Sequence, residues 1–126
     1  MSIAVYASPQ ESIRAILVRP HRRAWFPAAL YLLFALADLF FSLIAFRFGV
    51  AEGNPFMAWL VLHGLFVPGK IMLTLLVTGL MVIVYSAARR WRWTVWSGVG
   101  LMGFVVAYHL WALPRVMGLP GIATLL

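Results

Sequence analysis

The chain has 126 residues, room for about one domain, and 64% of them are hydrophobic while only 10% are charged. Soluble globular domains are roughly half apolar and a quarter charged, so this composition excludes a soluble domain and predicts an all-α integral membrane protein. The net charge of +7 is better explained by basic residues flanking membrane spans than by nucleic-acid binding, and the lack of cysteine excludes disulfides and thiol chemistry.

The first predicted element is a short amphipathic helix within residues 1–23. Ser8 and Glu11 have the spacing of a capping box, and Pro9 occupies the favoured first helical position. Apolar residues after it fall on one side and arginines lie off that side. We expect this helix to lie in the membrane interface on the cytoplasmic side; the alternatives are packing on a partner or fraying.

Three later segments are long and apolar enough to span a membrane: residues 25–48, 68–88 and 93–114. Between the first two, residues 55–63 predict a helix about 13 Å long, which is too short to cross. Asn54 can cap this helix and Pro55 can begin it. We therefore predict a half-helix that is either re-entrant or interfacial, reached from the outer face.

The distribution of basic residues predicts the orientation. Seven lie on the N-terminal side: Arg14, Arg19, Arg22, Arg23, Arg89, Arg90 and Arg92. Three lie on the opposite side: Arg47, Lys70 and Arg115. Since basic residues favour the cytoplasmic face, we expect a cytoplasmic N-terminus and an outer C-terminal tail, residues 115–126.

One face of the first span is small or polar. Helical spacing places eight residues on it: Ala28, Tyr31, Ala35, Asp38, Ser42, Ala45, Gly49 and Glu52. Small faces let membrane helices approach closely, so Asp38 and Glu52 are expected to point into the protein. Lys70, Thr74 and Thr78 form a similar stripe on the second span. Small residues of the third span predict a further packing face: Ser97, Gly100, Gly103 and Ala107.

Depth along antiparallel spans predicts which polar groups meet. Glu52 and Lys70 both lie at the outer ends of their spans, so an ion pair between them is the simplest assignment. Asp38 lies about 10–12 Å deeper in the membrane than Lys70, so their contact needs an extended lysine side chain or a tilted helix. Asp38 itself either locks helices together through hydroxyl groups or carries a function, the default for an intramembrane acid.

Other polar side chains are predicted to lie near the depth of Asp38 in the membrane. Thr74 and Thr78 do so from the second span, and Tyr108 and His109 do so from the third. His109 lies off the small face of its span and is expected to face headgroups, water or another subunit. Asp38 and Glu52 would be about 21 Å apart along one helix, which excludes joint action on one bond.

An acid–hydroxyl–acid–Asn–Pro pattern joins the first span to the half-helix: Asp38-x3-Ser42-x6-Gly49-x2-Glu52-x-Asn54-Pro55, followed by Lys70. It resembles a family of small prokaryotic integral membrane proteins catalogued as a domain of unknown function. That family has threonine where this chain has Ser42, so a hydroxyl is kept. The resemblance covers about residues 28–90 and implies a three-helix bundle in a prokaryotic plasma membrane. It also implies that Asp38, Glu52, Asn54, Pro55 and Lys70 form one constellation, and it implies no reaction.

Three functions are compatible with these features. The favoured one is a non-enzymatic accessory or structural subunit of a larger membrane complex, in contact with lipid and with other subunits or further copies. The second is a homo-oligomer that binds or conducts an ion, a proton or a small solute past Asp38 and the Glu52–Lys70 pair. The third is an intramembrane enzyme that acts on a lipid-linked substrate.

No catalytic residue, cofactor or metal site is predicted, because the histidines lie in separate segments and no phosphate loop or nucleophile motif occurs. No nucleic-acid partner is expected, because the basic residues flank membrane spans. The candidate binding or functional residues are Asp38, Ser42, Glu52, Asn54, Pro55, Lys70, Thr74, Thr78, Tyr108 and His109.

Overall fold

A computed structural model describes residues 8–118 of the chain. These residues form five α-helices and no strand: α1 (Pro9–Val18), α2 (Trp25–Arg47), α3 (Pro55–Leu62), α4 (Phe66–Ala87) and α5 (Arg92–Val116). Single 3-10 turns, Arg22–Ala24 and Arg89–Trp91, lead directly into α2 and α5. The predicted all-α fold is confirmed. Most of the predicted outer tail lies outside the described residues.

The three long helices meet the length and hydropathy requirements of membrane spans. They match the three predicted spans, and the short α3 lies between the first two as predicted. α4 begins at Phe66, two residues before the predicted start. Pro68 does not delay that start, because a proline in the first turn of a helix removes an N–H that has no intrahelical partner.

α1 begins with the predicted capping box. The Ser8 N–H donates to Glu11 Oε2 over 3.0 Å, and the Glu11 N–H donates to Ser8 Oγ over 3.2 Å. α1 packs against α4. The segment after it is fixed by the His21 N–H, which donates to Ser86 Oγ at the end of α4 over 2.8 Å. The interfacial position of α1 stays a prediction.

α2 is the central helix and packs against both α4 and α5. One core cluster joins the start of α2 to the end of α4 and the start of α5: Ala24, Ala28, Met81, Val82, Tyr85 and Val95. α4 is therefore antiparallel to α2, whereas α5 is parallel to α2. The arginines of residues 19–23 and 89–92 consequently lie at the same end of the bundle.

The small face of α2 is buried as predicted, but of the predicted small face of α5 only Gly103 packs against α2, where a Cβ atom would lie 3.2 Å from the Phe34 ring. Ala28, Ala35 and Ala45 are buried on α2. Ser97, Gly100 and Ala107 of α5 are exposed, whereas Val95, Val99 and Leu113 are buried. The physical reason is complementarity: α2 already presents alanines, so the space is filled by larger residues from α5 rather than by a second small face.

α3 packs over the contact between the C-terminal half of α2 and the start of α4. Asn54 Oδ1 accepts from the N–H of Phe56 over 3.0 Å, so the predicted cap is confirmed, and Pro55 is the first helical residue. Met57 and Leu60 of α3 are buried in a cluster that also contains Leu39 of α2 and Phe66 of α4. The depth of α3 in a membrane stays a prediction.

Candidate functional site

A polar cavity of about 470 Å³ lies among the three spans and reaches the segment that leads into α3. This volume falls within the ~300–1,000 Å³ typical of small-molecule pockets. Eight of its fourteen lining residues are polar: Tyr31, Asp38, Ser42, Glu52, Asn54, Lys70, Thr74 and His109. Asn54, at one end, is exposed, whereas Asp38, Ser42 and Thr74 are buried. The cavity therefore extends from an exposed rim into the interior of the bundle.

Asp38 is the centre of the polar cluster, and each of the three spans contributes one member. Lys70 Nζ on α4 donates to Asp38 Oδ2. His109 Nδ1 on α5 lies 3.3 Å from Asp38 Oδ1. The side chains of Asp38, Lys70 and His109 are 7%, 15% and 22% exposed. Both oxygens of the carboxylate are thus engaged away from bulk water.

The predicted Glu52–Lys70 ion pair is wrong, because Lys70 pairs with Asp38. α4 begins at Phe66, which places Lys70 a full turn inside the helix rather than at its outer start. The four-carbon lysine side chain spans the remaining distance to Asp38, and its ammonium lies 5.5 Å from the centre of the Phe66 ring.

Glu52 belongs to the connection between α2 and α3, not to α2. The helix ends at Arg47, and Gly49 adopts a left-handed φ of 82°. The N–H of Gly49 donates to Phe46 O and the N–H of Val50 donates to Ala45 O, the pattern of a Schellman motif. Glu52 Oε1 then accepts from the Asn54 N–H over 3.0 Å.

This turn also removes the basis of the predicted separation of about 21 Å between Asp38 and Glu52. That value assumed one continuous helix, whereas the chain leaves α2 five residues before Glu52 (47 to 52). Both acids line the same cavity.

His109 faces the interior, so the expectation that it faces headgroups, water or another subunit is wrong. Its Nδ1 lies 3.0 Å from Val105 O as well as near Asp38. Because both neighbours are acceptors, Nδ1 carries the hydrogen. The ring also stacks on Phe41, with centroids 6.2 Å apart. His109 is half-buried because α5 turns towards α2 the side of the helix that lies opposite Ser97, Gly100 and Ala107.

Seven of the ten candidate residues line this cavity, and three do not. Pro55 is exposed at the start of α3, and Tyr108 is exposed on α5. The Thr78 hydroxyl donates to Thr74 O over 2.7 Å, and its side chain lines a different cavity. Tyr31 lines the polar cavity but was not among the candidates; the signal was present, because Tyr31 lies two helical turns before Asp38 on the same face.

The cluster offers charge and hydrogen bonds rather than a metal-ligand set. Within residues 8–118, no three His, Asp or Glu side chains lie close enough together to hold a metal ion. What the cavity presents is one carboxylate that accepts from Lys70 and lies 3.3 Å from His109 Nδ1, a second carboxylate at the rim, and several hydroxyl groups.

A family model described as "Domain of unknown function (DUF5658)" matches residues 28–115, more than half of the chain. The match extends past the region of the resemblance to include most of α5 and therefore His109. All the polar residues that line the cavity fall within it. No curated protein and no solved structure matches the chain.

Proposed function

This chain belongs to the family described as a domain of unknown function, DUF5658, and we propose that it is a non-enzymatic membrane protein that binds a small polar solute among its three spans. The observation that carries the proposal is the convergence of eight polar side chains on one cavity in an otherwise apolar bundle. Polar groups inside membrane helices are costly, and they commonly line ligand or ion sites.

The hydroxyl groups that line the cavity support a polar ligand. A purely structural cluster would satisfy its own members, as Asp38 does with Lys70 and His109. Among the hydrogen bonds formed by residues 8–118, none involves the hydroxyl of Tyr31, Ser42 or Thr74. Hydroxyl groups that face a cavity and have no protein partner can pair with a ligand or with water.

The charges favour a solute that is uncharged or zwitterionic. The cavity contains two carboxylates, Asp38 and Glu52, one ammonium, Lys70, and the imidazole of His109. Asp38 is already engaged on both oxygens, so a ligand meets mainly hydroxyl groups in the interior and Glu52 and Asn54 at the rim. A polar molecule of amino-acid or small-polyol size suits the volume of about 470 Å³.

Two threonines one turn apart on α4 give a matched test. Thr74→Val removes a hydroxyl from the cavity, whereas Thr78→Val removes one outside it. The purified protein is screened by thermal shift against amino acids, polyols, amines and carboxylates, and Kd is then measured by calorimetry.

We expect one class of solute to stabilise the protein, with Thr74→Val weakening its binding about five- to tenfold, the loss of one hydrogen bond. Thr78→Val should bind like the unaltered chain. The proposal fails if no class binds, or if the two variants behave alike.

A second candidate, an accessory subunit of a larger membrane complex, is favoured by the surface of α5. Ser97, Gly100 and Ala107 form a small-residue face that is exposed in this chain, and such faces suit close contact with another membrane helix. Purification from native membrane in mild detergent separates the candidates: a defined complex with other proteins supports this one, and a monomer or homo-oligomer supports the solute-binding proposal.

The proposed location is the plasma membrane of a prokaryote, with the N-terminus in the cytoplasm. The chain is a multi-pass membrane protein by the length and composition of its helices. The orientation is supported by the gathering of arginines at the end of the bundle where α2 and α5 begin.

A further inference from the structure

A second cavity, a groove between α1 and α4, also has a volume of about 470 Å³ and differs from the first in its lining. Seven of its eight lining residues are apolar, among them Leu17, Trp25 and Ile83. The eighth is Thr78, whose hydroxyl is already used by Thr74 O. The groove therefore offers apolar contact with almost no hydrogen bonding, which suits a hydrocarbon chain.

Arginines stand beside this groove without carboxylate partners. Pro20 and Trp25 line it, and the exposed residues Arg19, Arg22 and Arg23 are their close neighbours along the chain. In the part of the chain that the structure describes, both ion pairs involve Asp38, which lies in the other cavity. Three exposed arginines within two residues of groove-lining positions complement an anionic headgroup attached to an acyl chain.

We propose that the α1–α4 groove binds an anionic phospholipid, with one acyl chain in the groove and the phosphate among Arg19, Arg22 and Arg23. The apolar lining accounts for the chain but does not distinguish one lipid from another. The arginines provide selection, because guanidinium binds phosphate in bidentate geometry and basic clusters at a membrane surface attract anionic lipids. The site is separate from the polar cavity and does not depend on the solute-binding proposal.

Two glycines provide a matched pair of variants. A Cβ atom built on Gly79 meets nothing within 4 Å, and Gly79 lines the groove, so Gly79→Leu is expected to place a side chain in it. Gly100 on α5 is equally open and lies outside the groove. Each lies eight residues from the arginine-rich end of its helix (79 to 87 and 92 to 100). Gly100→Leu therefore controls for adding a leucine to an open helical position.

The experiment is native mass spectrometry of the full chain in detergent, titrated with dioleoyl phosphatidylglycerol or with dioleoyl phosphatidylcholine. We expect one tightly retained phosphatidylglycerol and weaker retention of phosphatidylcholine. Gly79→Leu should weaken both lipids at least tenfold, and Gly100→Leu should leave both unchanged. The triple variant Arg19→Gln, Arg22→Gln, Arg23→Gln should weaken phosphatidylglycerol about 100-fold, roughly fivefold per arginine, with phosphatidylcholine unaffected.

Equal retention of the two lipids by the unaltered chain would overturn the headgroup assignment, and unchanged binding by Gly79→Leu would overturn the groove. Glycerol 3-phosphate distinguishes a lipid from free phosphate: displacement of phosphatidylglycerol by this soluble headgroup alone would also overturn the proposal. The triple variant changes only exposed side chains, so it decides the question even if Gly79→Leu fails to fold.

Discussion

Asp38 links the three spans through its two carboxylate oxygens. One oxygen accepts from Lys70 of α4, and the other lies 3.3 Å from His109 Nδ1 of α5. A buried charge that loses its partner is destabilising by about 3–5 kcal/mol, because the remaining charge has neither water nor a counter-ion. The stability of the bundle therefore depends on Lys70 through Asp38 rather than through Glu52.

Double-mutant cycles test this dependence. We expect Asp38→Asn and Lys70→Met to show a coupling free energy of about 2–3 kcal/mol, less than the cost of breaking a fully buried pair because Lys70 is partly exposed to the cavity. Glu52→Gln with Lys70→Met should show a coupling below about 0.5 kcal/mol, the scatter of independent sites. The measurement is denaturant or thermal unfolding in detergent. A larger coupling for Glu52 than for Asp38 would contradict the assigned pair.

The residues of this cluster show what could and could not be predicted from the sequence. The stripe of α2 predicted that Asp38 is buried, because spacing along one helix needs only the helical period. The partner of Lys70 depended on where α4 begins. The Pro68-Gly69 pair suggested a start at residue 68, two residues later than the observed start at Phe66. The position of His109 depended on which face of α5 meets α2, a choice made by side-chain volumes on both helices.

α3 is defined by backbone chemistry at both of its ends. Asn54 caps its first turn, and Gly64 ends it in a left-handed φ of 68°. The Gly64 N–H donates to Val61 O and the Leu65 N–H donates to Leu60 O, so this helix closes with the same motif as α2. These signals are local, which is why the element could be predicted from sequence although it has only eight residues.

Removing the cap should loosen the start of α3. We expect Asn54→Ala to cost about 1 kcal/mol and to speed hydrogen exchange at the amides of Phe56 and Met57, which donate to Asn54 Oδ1. Asn54→Asp should retain slow exchange, because aspartate caps equally well.

Ser8→Ala, which removes the cap of α1 instead, is the control and should leave these two amides unchanged. Exchange that is as slow in Asn54→Ala as in the unaltered chain would show that packing of Met57 and Leu60 alone holds the helix.

At the scale of the whole molecule, the two ends of the bundle differ in chemistry. One end carries the arginines of residues 19–23 and 89–92, and the other carries α3 and the rim of the polar cavity. A cytoplasmic arginine-rich end would place the rim of the cavity on the outer side of the membrane. The solute of the proposed site would then enter from outside the cell.

Reporter fusions test this orientation. With three spans, a reporter fused at residue 21 should be cytoplasmic and one fused at residue 118 should be outside, because an odd number of crossings separates them. Paired reporters that are active only on one side of the membrane make the measurement. Reporters on the same side would mean that one of the long helices does not cross, and reversed sides would move the cavity rim to the cytoplasm.

The division of one polar cluster among three spans has a consequence for biogenesis. Asp38 leaves the ribosome 32 residues before Lys70 and 71 residues before His109 (38 to 109). Until then α2 carries an acid that lipid accommodates poorly, so its transfer from the insertion machinery is expected to wait for α4. α5 then completes the set. We therefore expect synthesis order and helix assembly to be coupled, and a nascent chain that stops before residue 70 to expose an intramembrane acid that has no partner.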